Sequence, residues 1–181
     1  MNRDPQLPRY LCFTRSINEG ILLKLKSLGA INPIIRKHTN CYEVDFRFAL
    51  DPESAGFVEL LDSNEILLVE ENFSSLTTKE ILHKSTQLIG EERFWECHNL
   101  LEELWKRNSG NRKKLVHDVI GVIVSQIKVQ MGQWEVGKKV YERTRKNLEM
   151  SNCGEIVKHL PTSFTYPVKI SLYLIEPMLE N

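Results

Sequence analysis

The sequence predicts an α+β protein, with a ferredoxin-like βαββαβ domain over residues 1–75 followed by an all-α helical bundle over 76–181. Three observations carry this. Up to Glu71, β-rich runs and amphipathic helical runs follow one another in the order β-α-β-β-α-β. Beyond Ser75 the long periodic stretches hold helical spacing. A chain of 181 residues is also long for one small domain and sufficient for two cores.

The first run, "RYLCFT", is strand-like. "SINEGILLKLKSLG" then predicts a helix with Ser16 as N-cap, Glu19 completing a capping box and Gly29 at the stop. Its apolar face is Ile17, Ile21, Leu25 and Leu28. "INPIIRKH" and "CYEVDFRFAL" predict two strands around a turn at Thr39 and Asn40. Asp51 predicts the cap of a second helix with Pro52 at its first position, where a missing N–H costs nothing. "EILLVEE" closes the domain as a strand. Strand three sets Tyr42, Val44, Phe46 and Phe48 on one side and Glu43, Asp45 and Arg47 on the other. Because burying the charged row is costly, the aromatic row should face the helices. The free face is then mixed in charge, which suits an interaction or scaffold domain better than an RNA-stacking surface.

In the second domain, Thr77 and Glu80 form a capping box at the head of "TKEILHKSTQLIG". A helix from Glu91 to Arg107 follows and ends at "NSGN". "RKKLVHDVIGVIVSQIKVQMG" is rich in Val and Ile, yet its length and lack of proline predict a buried helix. "QWEVGKKVYERTRKNLEM" is helical, with Trp134, Gly137, Tyr141, Thr144 and Leu148 on its inner stripe. Gly137 there predicts close approach of a neighbouring helix. Glu135 with Lys139 and Glu142 with Lys146 are spaced to pair on the outer face. "SNCGEIVKHLPTSFTYP" reads as irregular, and "VKISLYLIEPMLEN" as a short terminal helix against the bundle.

Composition excludes several classes. Residues up to Ser75 hold 8 basic and 11 acidic side chains and the remainder 16 and 13, so neither part has the concentrated positive charge of a nucleic-acid binder. The opening "MNRDPQLPRY" lacks the order of a signal peptide, and no apolar run nears the length of a membrane span. The expected location is cytoplasmic. Cys12, Cys41, Cys97 and Cys153 form no C-x-x-C pair, which predicts buried free thiols over a zinc knuckle or a disulfide framework.

The candidate site lies in "GEERFWECHNLLEELWKRNSG". Phe94, His98, Leu101 and Trp105 are spaced along one helix stripe, with Cys97, Leu100 and Leu104 widening its apolar side, while Glu96 and Glu103 should lean toward solvent or the flank of the stripe. Glu102 stands one turn beyond His98 and can hydrogen-bond its ring. Two readings follow. In one, the pair locks the core of a module that binds a protein or a small molecule. In the other, the chain is a hydrolase in which His98 is the general base, Glu102 orients it, and Glu96 or Asp118 is a second acid. A metal version would add His117, Asp118 or His83 to His98 and Glu102, although two ligands at i,i+4 fall short of a catalytic set. Phe94, Trp105, His117 and Asp118 are candidate binding residues. No feature names a cofactor or a metal.

Gly90, Phe94, Glu96, His98, Glu102 and Trp105 follow a G-x-x-(F/Y)-x-E-x-H-x-x-x-E-x-x-W-like spacing. On these residues, and through the helix from Leu115 to "MGQWEVG", the stretch from Thr77 to Leu148 resembles the domain-of-unknown-function 309 family. The resemblance implies a small all-α bundle and a helical "DVIGVIVSQ". Asn99 stands where a second acidic residue often follows the histidine.

Overall fold

The computed structural model describes residues 7–63, 66–69, 73–151 and 154–180. The chain forms two compact units, residues 1–71 and 72–181.

The first unit runs β1 (Arg9–Thr14), α1 (Ile21–Ser27), β2 (Ile31–Lys37), β3 (Tyr42–Arg47), α2 (Phe57–Leu61) and β4 (Ile66–Leu68). Its four strands lie in the order β2-β3-β1-β4, and every neighbouring pair is antiparallel. Each helix thus crosses between two strands separated by one other strand. The ladder of β2 shifts between Ile31 and Ile34, where Asn32 has a φ of 50° and Pro33 has no N–H to give. Cys12, Val44 and Phe46 meet Ile21, Leu25, Phe57 and Leu61 in the core, and the Phe46 and Phe57 rings stack at 4.8 Å. The aromatic row does face the helices.

Both helices begin later than their capping signals predict. Ile21 N–H donates to Asn18 O, and Gly20 takes a φ of 77° immediately before α1 without any side-chain cap. The Ser16–Glu19 capping box therefore does not form, because a turn and a left-handed glycine separate those residues from the helix. Asp51 does accept from the N–H groups of Glu53 and Ser54, at 3.3 and 3.0 Å, but it closes a turn. Gly56, with a φ of 81°, ends that turn and α2 starts at Phe57. Of "EILLVEE", only residues 66–69 lie within the described residues.

The charged face is the larger departure. Arg9, Arg36, His38, Glu43 and Asp45 are all buried, so that face is not an open mixed-charge surface. Asp45 receives two hydrogen bonds from Arg9 (2.8 and 2.7 Å) and one from Arg36 (2.7 Å). Arg36 also pairs with Glu43, whose other oxygen lies 3.2 Å from His38 Nε2. Pairing makes the burial tolerable: each carboxylate meets a guanidinium fork in a fixed geometry.

The second unit comprises α3 (Thr78–Gly90), α4 (Phe94–Arg107), α5 (Gly110–Gln130), α6 (Trp134–Met150), α7 (Gly154–His159), a 3-10 turn (Leu172–Ile175) and α8 (Glu176–Glu180). The Thr77–Glu80 capping box forms reciprocally. The helix expected from Glu91 begins at Phe94, because Glu92 adopts a φ of 57° in the α3–α4 connection. The Val- and Ile-rich run is helical throughout; α5 packs against both α4 and α6, so it is apolar on more than one side. On α6 the expected Glu135–Lys139 and Glu142–Lys146 pairs do not close, and the i,i+4 pair that forms is Arg145–Glu149. Trp134 stays half exposed at the helix start, against Phe164 at 5.0 Å.

The segment read as irregular contains the short helix α7. The turns after it are held by specific bonds: Val168 N–H donates to Gln126 Oε1 at 2.9 Å, and Tyr166 Oη donates to Glu92 Oε2 at 2.7 Å. Cys12 and Cys97 are buried free thiols, Cys41 is half buried, and Cys153 lies outside the described residues.

Candidate functional site

Helix α4 has two distinct sides. Phe94, Cys97, Leu100, Leu101 and Leu104 are fully buried in the helical core. Trp95, His98, Glu102 and Trp105, at steps of three, four and three, form a half-buried stripe beside it. His98 and Trp105 thus flank the core face and do not share it with Phe94, because the 3.6-residue repeat carries them round toward solvent.

His98 stacks on Trp95 at 5.6 Å with an interplanar angle of 15°. Its Nδ1 is 3.3 Å from Asn99 Oδ1, and its Nε2 is 3.7 Å from Glu102 Oε1. The second distance is an ion-pair approach rather than a hydrogen bond. The side chains are 19% and 46% exposed, which sets the pair at the edge of the bundle. Lys113, from the first turn of α5, places Nζ 4.0 Å over the Trp105 ring as a cation–π contact.

Glu96 does not lean toward solvent. It is 3% exposed, and Arg93 Nε donates to its Oε1 at 2.7 Å while Arg93 also reaches Glu91. Position explains this: Glu96 sits in the first turn of α4, where the helix dipole favours a carboxylate, and folds back on Arg93. Phe94 meets Tyr166 edge-on in the core and presents nothing to a ligand. Burial pushes the Cys97 thiol far above its ordinary value, so it is a packing group and not a nucleophile.

His117 and Asp118 form a second pair, not an extension of the first. His117 Nδ1 lies 3.6 Å from Asp118 Oδ1, with His117 69% exposed and Asp118 only 3%. Asn147 Nδ2 on α6 approaches the same Oδ1 at 3.4 Å. His83 bonds Tyr173 Oη on the 3-10 turn. Among the described residues no group of three or more His, Cys, Asp or Glu side chains gathers as a metal-binding set.

Residues 82–140, from α3 into α6, match the family model described as domain of unknown function (DUF309). The family resemblance carried by His98, Glu102 and Trp105 is therefore shown on that stretch. No curated protein and no solved structure matches the chain. Among the described residues no helix is long and apolar enough to cross a membrane.

The sequence reading passed over Trp95, which the 95-98-102-105 spacing would have revealed, and the role of Lys113 over Trp105. It also missed the buried ion network of the sheet. A signal existed there, since Arg36 and Glu43 are direct cross-strand partners once the hairpin around Thr39 and Asn40 is put in register.

Proposed function

We propose that the helical unit is a binding module for a protein or small-molecule ligand, with the stripe Trp95, His98, Glu102 and Trp105 as its contact face and Lys113 at the edge. The observation that carries this reading is the split in α4. The apolar residues are packed completely, while two indoles, an imidazole and a carboxylate of the same helix are left half in water. Aromatic and ionisable groups in that state retain area and hydrogen-bonding capacity for a ligand. The N-terminal unit we read as ferredoxin-like, serving as an interaction or scaffold domain. Support comes from its βαββαβ order and from an antiparallel sheet with β1 and β3 at the centre. A cytoplasmic setting goes with the free thiols of Cys12 and Cys97.

The 3.7 Å approach of Glu102 to His98 Nε2 favours one alternative, an acid–base hydrolase with His98 as base. A fragment titration followed through the tryptophan indole N–H signals separates the readings. Binding at the stripe moves Trp95 and Trp105 together, spares Trp134, and is lost in His98→Ala/Glu102→Ala. Hydrolysis of ester or phosphate probes that vanishes in His98→Ala, or Trp95 and Trp105 signals that no fragment moves, would overturn the binding reading.

A further inference from the structure

A cleft of about 580 Å³ runs between α5 and α6, within the size range of small-molecule sites. At one end stand His117, Asp118 and Asn147; Gly121, Arg143 and Thr144 form its middle, and Val124 with Val140 its apolar end. Asp118 is 97% buried, and among the described residues its Oδ2 has no hydrogen-bond partner. Among the same residues its other oxygen has only the long approaches of Asn147 and His117. A buried carboxylate left in this state is costly unless a donor, best a cationic one, meets it. Arg143 is exposed, lines the same cleft, and makes no hydrogen bond or ion pair among the described residues. It lies one helical turn from Asn147, about 6 Å along α6.

An unmatched negative group on α5 and an unmatched positive group on α6 that line one cleft, with apolar residues beyond them, define a ligand by complementarity. We propose that the α5–α6 cleft binds a small zwitterion of the amino-acid kind, its ammonium on Asp118, its carboxylate on Arg143 and an apolar side chain against Val124 and Val140. A simple amine would leave Arg143 facing it with like charge, and a simple acid would meet Asp118. A metal ion is disfavoured because the described residues provide no third carboxylate, histidine or thiolate there. This site is separate from the α4 stripe, and neither reading depends on the other.

The test is calorimetry on the full chain with L-leucine, L-methionine and L-phenylalanine, each up to about 10 mM, and with isoamylamine and 4-methylpentanoate, which each lack one of leucine's charges. At least one amino acid should bind, with affinity about tenfold or more above that for the single-charge probes. Asp118→Asn and Arg143→Gln should each weaken it by about tenfold or more, and Glu135→Gln, at an exposed position of α6 outside the cleft, should leave it unchanged. Arg143 is a surface residue, so that variant decides the matter even if Asp118→Asn fails to fold. No binding by any of the three amino acids, equal binding of the amine, or full affinity in Arg143→Gln would overturn the proposal.

Discussion

Asp45 shows how a single side chain can be legible in type and illegible in setting. Its alternation with Val44 and Phe46 placed it on the correct face, but the residues that bury it, Arg9 and Arg36, come from strands whose register the sequence does not display. Burial pushes the Asp45 carboxyl upward, yet the hydrogen bond and charge of Arg9 and the charge of Arg36 outweigh this and hold it below the usual carboxylate range. Because the folded value lies below the unfolded value of about 3.9, the stability it contributes is present above about pH 4 and is lost as the pH falls through the folded value. Asp45→Asn should therefore flatten the loss of stability of the first unit in acid, as read by circular dichroism against pH. Arg36→Ala, which strands Glu43 and Asp45 in a buried setting, should cost about 3 kcal/mol or more in a urea titration at neutral pH. A loss under about 1 kcal/mol would mean that water reaches this face and solvates the charges.

The elements were readable where periodicity is long and obscure where a turn decides. Helices α5 and α6 follow from uninterrupted spacing, and the buried Gly137 was marked as a contact by its place on the inner stripe. An added Cβ there would come within 2.6 Å of the backbone oxygen of Ser125, which cannot swing aside. Gly121, across the same pair of helices, gave no such mark, since α5 is apolar on more than one side. Its added Cβ would meet Thr144 Oγ1 at 2.5 Å, a side-chain clash. Gly137→Ala should therefore lower stability by about 1 to 3 kcal/mol, while the loss from Gly121→Ala should be relieved by Thr144→Ala. A Gly121→Ala loss that Thr144→Ala leaves in place would show that the strain lies in the backbones. The starts of α1 and α2 were misplaced for a related reason. Ser16, Glu19 and Asp51 signal a cap, but Gly20 and Gly56 in left-handed conformation set where the helices begin.

For the molecule as a whole, a sheet with its helices followed by a helical run through α6 could be read from pattern, because long apolar periodicities mark each, while the short α7 could not. The character of the site could not. The spacing of His98 and Glu102 suits core glue, a catalytic pair or a recognition face equally well; what separates them is how far α4 is rotated against its neighbours, a property of packing. That rotation leaves Glu102 46% exposed and His98 stacked on Trp95 at the bundle edge. The most direct test of the binding-face account is the unfolding free energy of the His98→Ala/Glu102→Ala variant beside the parent, by denaturant titration. A recognition face predicts a difference within about 1 kcal/mol, as for a partly exposed ion pair. A loss of about 3 kcal/mol or more would make the pair a structural lock within the bundle and contradict the account.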